Sequence, residues 1–124
     1  MLLEDETTEQ VIGAAMEVHR ELGPGLLESV YEEALCHELS LRGTDFTRQV
    51  PVPIRYKGVS LGSDCRIDIL VEDAVVLELK AVAEIQPVHE AQLLTYMRLS
   101  GKSVGLLLNF NVPVLKEGIV RRVL

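Results

Sequence analysis

The chain has no tryptophan and only three tyrosines and two phenylalanines. With so few rings, the sequence offers no evident stacking platform for single-stranded nucleic acid. Two cysteines, Cys36 and Cys65, are too few for a disulfide-dense secreted scaffold, and they lack the paired spacing of a metal knuckle. A single bridge stays open, with inert thiols in a reducing cytoplasm the plainer reading. Basic charge is scarce too. Twelve Lys and Arg face nineteen Asp and Glu, a net of -7, which argues against a polybasic membrane anchor or a general nucleic-acid coat. No apolar run approaches the ~18 residues of a membrane span. The start, MLLEDETTEQ, lacks the basic-then-apolar pattern of a signal peptide, so the expected location is cytoplasmic and off the membrane.

What is present is ordinary globular material: 124 residues, 48% hydrophobic and 25% charged, enough for one domain. The acidity is localised. Residues 1–40 carry ten acids and one strong base, a net of -9, whereas residues 41–124 carry nine acids and eleven bases, a net of +2. We read a single domain over 1–124 with a short acidic lead at 1–7. Helical spacing of Val11, Ala15, Val18 and Leu22 predicts a first helix over 8–22, with Thr7 and Gln10 as a capping box or Thr8 as the cap. Gly23-Pro24-Gly25 stops it, and a second helix covers 27–41. The period then changes. Residues 47–56 read as an edge or irregular strand because Pro51 and Pro53 remove ladder donors, and Lys57-Gly58 reads as a turn. Clean alternation predicts strands at 64–71 and 75–82, joined by a short loop at 72–74. A third helix follows over 87–100, with Pro87 in its first turn and Gly101 at its exit, then strands at 103–110 and 119–123. This order predicts an α/β (α+β) sandwich: a mixed central sheet flanked by helices, with a parallel pairing after the third helix.

A three-residue loop at 72–74 sets Val71 opposite Val75 and therefore Asp68 opposite Glu78, with Cβ atoms ~5 Å apart on one face. The strand period adds Lys80 to that face and sends Ile67, Ile69, Leu77 and Leu79 to the other. Two adjacent carboxylates repel unless a positive group lies between them. A divalent cation satisfies them and polarises a phosphoryl oxygen, while a neighbouring Lys orients water or stabilises charge. The other reading is a solvent face in which Arg66 and Lys80 form salt bridges with Asp68 and Glu78.

Asp68 followed ten residues later by Glu78-Leu79-Lys80 resembles the active-site pattern of the PD-(D/E)XK nuclease superfamily. Gly25-Leu26-Leu27-Glu28-Ser29-Val30-Tyr31 resembles the name-giving motif of the small GxxExxY proteins grouped with it. The likeness continues through residues 18–23, Arg66-Ile67-Asp68, residues 76–80, Gln92 to Tyr96, and Asn109-Phe110-Asn111, so it spans about 9–123. It implies a restriction-endonuclease-like core. Asp68 and Glu78 would be metal ligands for Mg²⁺ or Mn²⁺, Lys80 the base-like catalytic residue, and Glu28 an additional acid near the metal. Residue 67 is Ile, so the literal Pro of the motif is absent. Gln92 and Tyr96, four apart on the third helix, resemble a pair that braces the site in one branch of the superfamily.

Five residues call for further reading. On a helical wheel Glu28 falls inside an apolar arc with Tyr31, Leu35 and Leu39, which asks for a partner. Tyr31 packs or hydrogen-bonds near Glu28. His19 is either a satisfied structural histidine or a group reaching the cleft through the Gly-Pro-Gly turn. Asn109 and Asn111 satisfy a turn or meet phosphate. The expected function is metal-dependent cleavage of DNA or RNA by activated water, with Arg42, Arg48, Arg55, Lys57, Arg66, Arg121 and Arg122 as candidate phosphate contacts. The alternative is a noncatalytic interaction or accessory domain on the same core. Its acidic first third would dock a larger protein partner or a second copy.

Overall fold

The structure, a computed structural model, describes residues 3–62 and 65–124. Three helices and a mixed five-stranded sheet make up the fold. Helix α1 spans Leu3–Leu22 and α2 spans Glu28–Leu41. Strand β1 (Phe46–Pro51) leads into a two-stranded arm, β2 (Arg55–Tyr56) and β3 (Val59–Ser60). Strands β4 (Arg66–Val71) and β5 (Val75–Lys80) form the expected hairpin. Helix α3 (Pro87–Ser100), β6 (Val104–Asn109), a 3-10 turn (Leu115–Gly118) and β7 (Ile119–Val123) complete the chain.

The sheet order is β1-β4-β5-β6-β7. Every pairing is antiparallel except β5 with β6, which run parallel through the α3 crossover. The alternation within each strand covers both faces. Ile69, Val71, Leu77, Leu79, Leu106 and Leu108 meet α1 and α2. Leu70, Val76 and Leu107 meet Leu93, Tyr96 and Met97 of α3. Cys36 belongs to the first layer and Cys65 borders the second, so the two thiols lie on opposite sides of the sheet and form no bridge. Helix α3 rides close on β6 because residue 105 is Gly; a Cβ there would come 2.6 Å from Met97 Sδ. No helix among the described residues is long and apolar enough to cross a membrane.

Several details differ from the sequence expectation. Helix α1 begins at Leu3, so most of the acidic lead is its first turn, and Glu4, Asp5 and Glu6 complement the N-terminal end of the helix dipole. The Thr7–Gln10 capping box is therefore not formed. Thr7 and Thr8 are buried within the helix, and Thr8 Oγ1 donates to the Glu4 carbonyl at 2.6 Å. The single strand expected over 47–56 ends at Pro51; one further bond, Val52 N–H to the Cys65 carbonyl, carries the pairing on before a separate two-stranded arm begins at Arg55. Residue 64, the expected start of β4, lies outside the described residues. Lys57-Gly58 is the turn expected, both residues at positive φ, and the arm's second limb pairs across it.

Candidate active site

The register of the hairpin follows from its loop. Glu72 and Asp73 take positive φ (53° and 52°), Ala74 N–H bonds back to the Val71 carbonyl at 3.0 Å, and Val71 pairs with Val75. Pairing runs only as far as Ile69 with Leu77. Beyond that the two strands part, and the Asp68 side chain fills the gap: Leu79 N–H donates to Asp68 Oδ2 at 2.8 Å. The carboxylate thus takes the place of a ladder acceptor. On the other side of β4, Gln49 adopts φ 52° between the paired positions Arg48 and Val50. Past this irregularity the alternation expected for β4 fails. Ile69 stays with Leu77 and Leu79, but Ile67 packs in the α3 layer instead of joining them.

The parted strands open a cleft of about 440 Å³. Asp68, Glu78 and Lys80 line it from the sheet, Glu28 from the start of α2, and Gln92 and Tyr96 from α3. Gln49, Cys65 and Arg66 complete the wall. Both helical layers therefore reach one site.

Glu78 is 4% exposed, and its Oε1 is buried with no hydrogen-bond partner. Burial and then the neighbouring Asp68 carboxylate push its carboxyl up from the ordinary 4.5 to about 9, against the pull of Lys80. Burial also raises Asp68, opposed by the Leu79 N–H and by a hydrogen bond with Glu78. Partial desolvation at the cleft and then repulsion from Asp68 raise Glu28 as well, against the pull of Lys80. All three acids are thus short of positive charge. Lys80 Nζ donates to Gln92 Oε1 at 3.5 Å, and Gln92 Nε2 donates to the Tyr96 hydroxyl at 3.0 Å. That chain holds the ammonium from the α3 side. Burial and the Cys65 thiol push the Tyr96 phenol up.

Neither Lys80 nor Arg66 forms an ion pair with a carboxylate among the described residues. The salt-bridged solvent face is therefore absent, and burial of Glu78 is the physical reason. The donor set, carboxylate oxygens with one buried oxygen unpartnered, fits a hard divalent cation. No group of three or more His, Cys, Asp or Glu side chains among the described residues is gathered as a ready cage. Glu28 lines the same cleft from the start of α2. It is solvent-exposed as the first residue of α2 rather than buried in the apolar arc of that helix. This geometry suits Mg²⁺, which keeps several waters and takes one or two carboxylates.

A profile describing the PD-(D/E)XK nuclease superfamily matches residues 5–123. The chain belongs to the PD-(D/E)XK nuclease superfamily. No curated protein and no solved structure gives a match. The mixed sheet with helices on both faces agrees with the superfamily fold.

For a PD-(D/E)XK chain the remaining candidates divide clearly. Tyr31 and His19 do not line the cleft. The Tyr31 hydroxyl donates to the Gly23 carbonyl at 2.5 Å and accepts from Leu26 N–H at 3.1 Å, while its ring stacks on Phe110 with centroids 4.6 Å apart. It latches the turn that delivers Glu28. His19 Nε2 bonds to the Val112 carbonyl at 2.8 Å beside the same Phe110. Asn109 satisfies a turn: its Nδ2 donates to the Val82 carbonyl and its Oδ1 accepts from Val82 and Asn111 N–H, which fixes the chain just after Lys80. His89 is taken by a cap, accepting from Gln86 N–H. Four expected phosphate contacts are also engaged: Arg42 with Glu38, Arg48 with Glu32, Arg121 with Asp5 and Arg122 with Glu90. Sequence reasoning missed Gln49, and only its place opposite Asp68 gives it away.

Proposed function

We propose that the protein is a metal-dependent nuclease that cleaves a phosphodiester bond in DNA or RNA by attack of water, and that it belongs to the GxxExxY group of the superfamily. The observation that carries this reading is Glu78: a buried acid beside Asp68, raised to about 9, with one oxygen left without a hydrogen-bond partner. A fold alone gains nothing from that arrangement, whereas a cation site needs it. Asp68 and Glu78 would hold Mg²⁺ or Mn²⁺ directly, and Glu28 would approach it through water. When bound, the cation supplies polarisation of a phosphoryl oxygen and stabilises charge as the ester opens. Lys80, braced by Gln92 and Tyr96, orients the attacking water and neutralises charge at the phosphate. Asp68 keeps its place on the cleft wall by accepting the Leu79 N–H on Oδ2.

The test is cleavage of labelled single- and double-stranded DNA and RNA with Mg²⁺ or Mn²⁺, comparing wild type with Lys80→Ala and Asp68→Asn. Loss of about 100-fold or more in both variants is the expected result. Equal activity in all three overturns the site. The noncatalytic alternative draws on one observation, exposed Leu22, Leu26, Leu27 and Val30 around the acidic α1–α2 turn. It gains if cleavage is absent while a protein partner is captured through that turn.

A further inference from the structure

The chain's cations are not evenly used. Of its twelve Lys and Arg, six are in ion pairs: Arg20, Arg42, Arg48, Lys102, Arg121 and Arg122. Among the six left without an acidic partner among the described residues, four gather in one place. Lys80 and Arg66 line the cleft, and Arg55 and Lys57 stand on the β2–β3 arm.

The arm prolongs the β1–β4 ladder beyond the sheet. Val52 N–H bonds to the Cys65 carbonyl, and Leu61 N–H to the Ile54 carbonyl. It therefore projects from the edge of the cleft where Gln49, Cys65 and Arg66 form the wall. Residues 52–62 contain no acid. Among the described residues Arg55 donates only to the Gly58 carbonyl, at 2.9 Å. Tyr56 is 60% exposed, with Lys57 Nζ 5.3 Å from its ring centroid. One face of an otherwise unsupported ring is thus flanked by a cation, which suits it to stack on a base beside a phosphate. A chain with so few aromatics leaves this one exposed beside the Lys57-Gly58 turn.

We propose that the β2–β3 arm is a strand-capture element: Tyr56 stacks on an unpaired base while Arg55, Lys57 and Arg66 contact successive phosphates leading to Lys80. This rests on the nuclease reading of the cleft and names its substrate as single-stranded or locally unpaired nucleic acid, since a base inside a duplex offers no free face. Phosphate contacts carry no sequence information and one ring discriminates poorly, so recognition is sequence-tolerant.

The experiment measures binding, apart from cleavage. Wild-type full-length protein in EDTA is titrated against fluorescein-labelled single-stranded and duplex oligonucleotides by anisotropy. Single strands should bind more tightly. Tyr56→Ala should weaken single-strand binding about 5-fold or more and leave the melting temperature unchanged, with Tyr56→Phe restoring it. The double variant Arg55→Ala/Lys57→Ala should reduce the slope of log K against log salt by about 1.4 on single strands. Lys116→Ala, an exposed cation elsewhere, should change neither. Duplex bound as tightly as single strand with no effect of Tyr56→Ala overturns the proposal, as does absence of binding by wild type. Arm-dependent binding without cleavage would sink the nuclease reading alone. Cleavage of single strands that is indifferent to the arm variants would sink the arm alone.

Discussion

At the scale of single residues, the site places its chemical need and its structural cost on the same atoms. Glu78 has an ordinary value of 4.5 and a folded one of about 9, so between those limits the folded chain binds more protons than the unfolded chain. Its contribution is fully present below about pH 4.5 and is lost as pH rises through about 9. Asp68 and Glu28 are shifted in the same direction. Metal-free protein should therefore lose stability between pH 5 and pH 8, and Glu78→Gln, neutral at every pH, should melt higher than wild type at pH 8. The difference should shrink toward pH 5, at about 4 °C for each kcal/mol. A variant that melts at or below wild type at pH 8 contradicts the buried acid. Tyr31 makes the opposite case. Tyr31→Phe keeps the stacking on Phe110 but loses both bonds to the 23–26 turn. Thermal melts should show a loss of about 1–3 kcal/mol, with slower cleavage because Glu28 is less firmly placed. A packed, hydrogen-bonded Tyr31 and a satisfied His19 were legible in the chain, but their partners were not, since Gly23, Val112 and Phe110 come together only on folding.

At the scale of elements, the hairpin was the most readable part. Its loop residues tolerate positive φ and its flanks alternate, so the 71–75 pairing and the approach of Asp68 to Glu78 follow from local rules. What could not be read was the end of the ladder. The parting of β4 from β5, the turning of Ile67 into the other layer and the recruitment of Gln49 depend on contacts among three strands. Helix α3 was read to the residue because Pro87 and Gly101 punctuate it, and Gly101 adopts the left-handed cap. The segment after Lys80 depends on a different device. Asn109 ties Val82, and Gly118 leaves room for the Asn109 backbone: a Cβ there would lie 2.2 Å from the Asn109 carbonyl oxygen. Gly118→Ala must move main chain. Denaturant unfolding should show a loss of about 1–3 kcal/mol, and cleavage should fall with it as the Lys80 end of β5 shifts. Unchanged values for both would show that the turn relaxes without disturbing Asn109.

Across the whole molecule, the charge that first argued against nucleic acid is largely internal bookkeeping. Six cations are matched to acids on the surface, the cleft carries Glu28, Asp68 and Glu78, and four of the six unmatched bases lie in that cleft or on the neighbouring arm. A cation bound only by the folded state should stabilise the entire domain, by ~2.7 kcal/mol at a hundred times its Kd. Differential scanning fluorimetry with Mg²⁺ or Mn²⁺ should show the rise, larger at pH 8 than at pH 5.5, and chelation should reverse it. Glu78→Gln should abolish it; an equal rise in that variant would place the metal elsewhere. The Leu79 N–H bond to Asp68 has one further consequence, for how lineages decay. On the nuclease reading proposed above, a descendant that abandons catalysis still needs an acceptor at position 68 to close its sheet, so an aspartate there is poor testimony of activity. Glu78 gives nothing back to an idle fold. Once the chemistry is gone, drift should neutralise position 78 first, which makes it the residue by which working members and relics of this lineage are told apart.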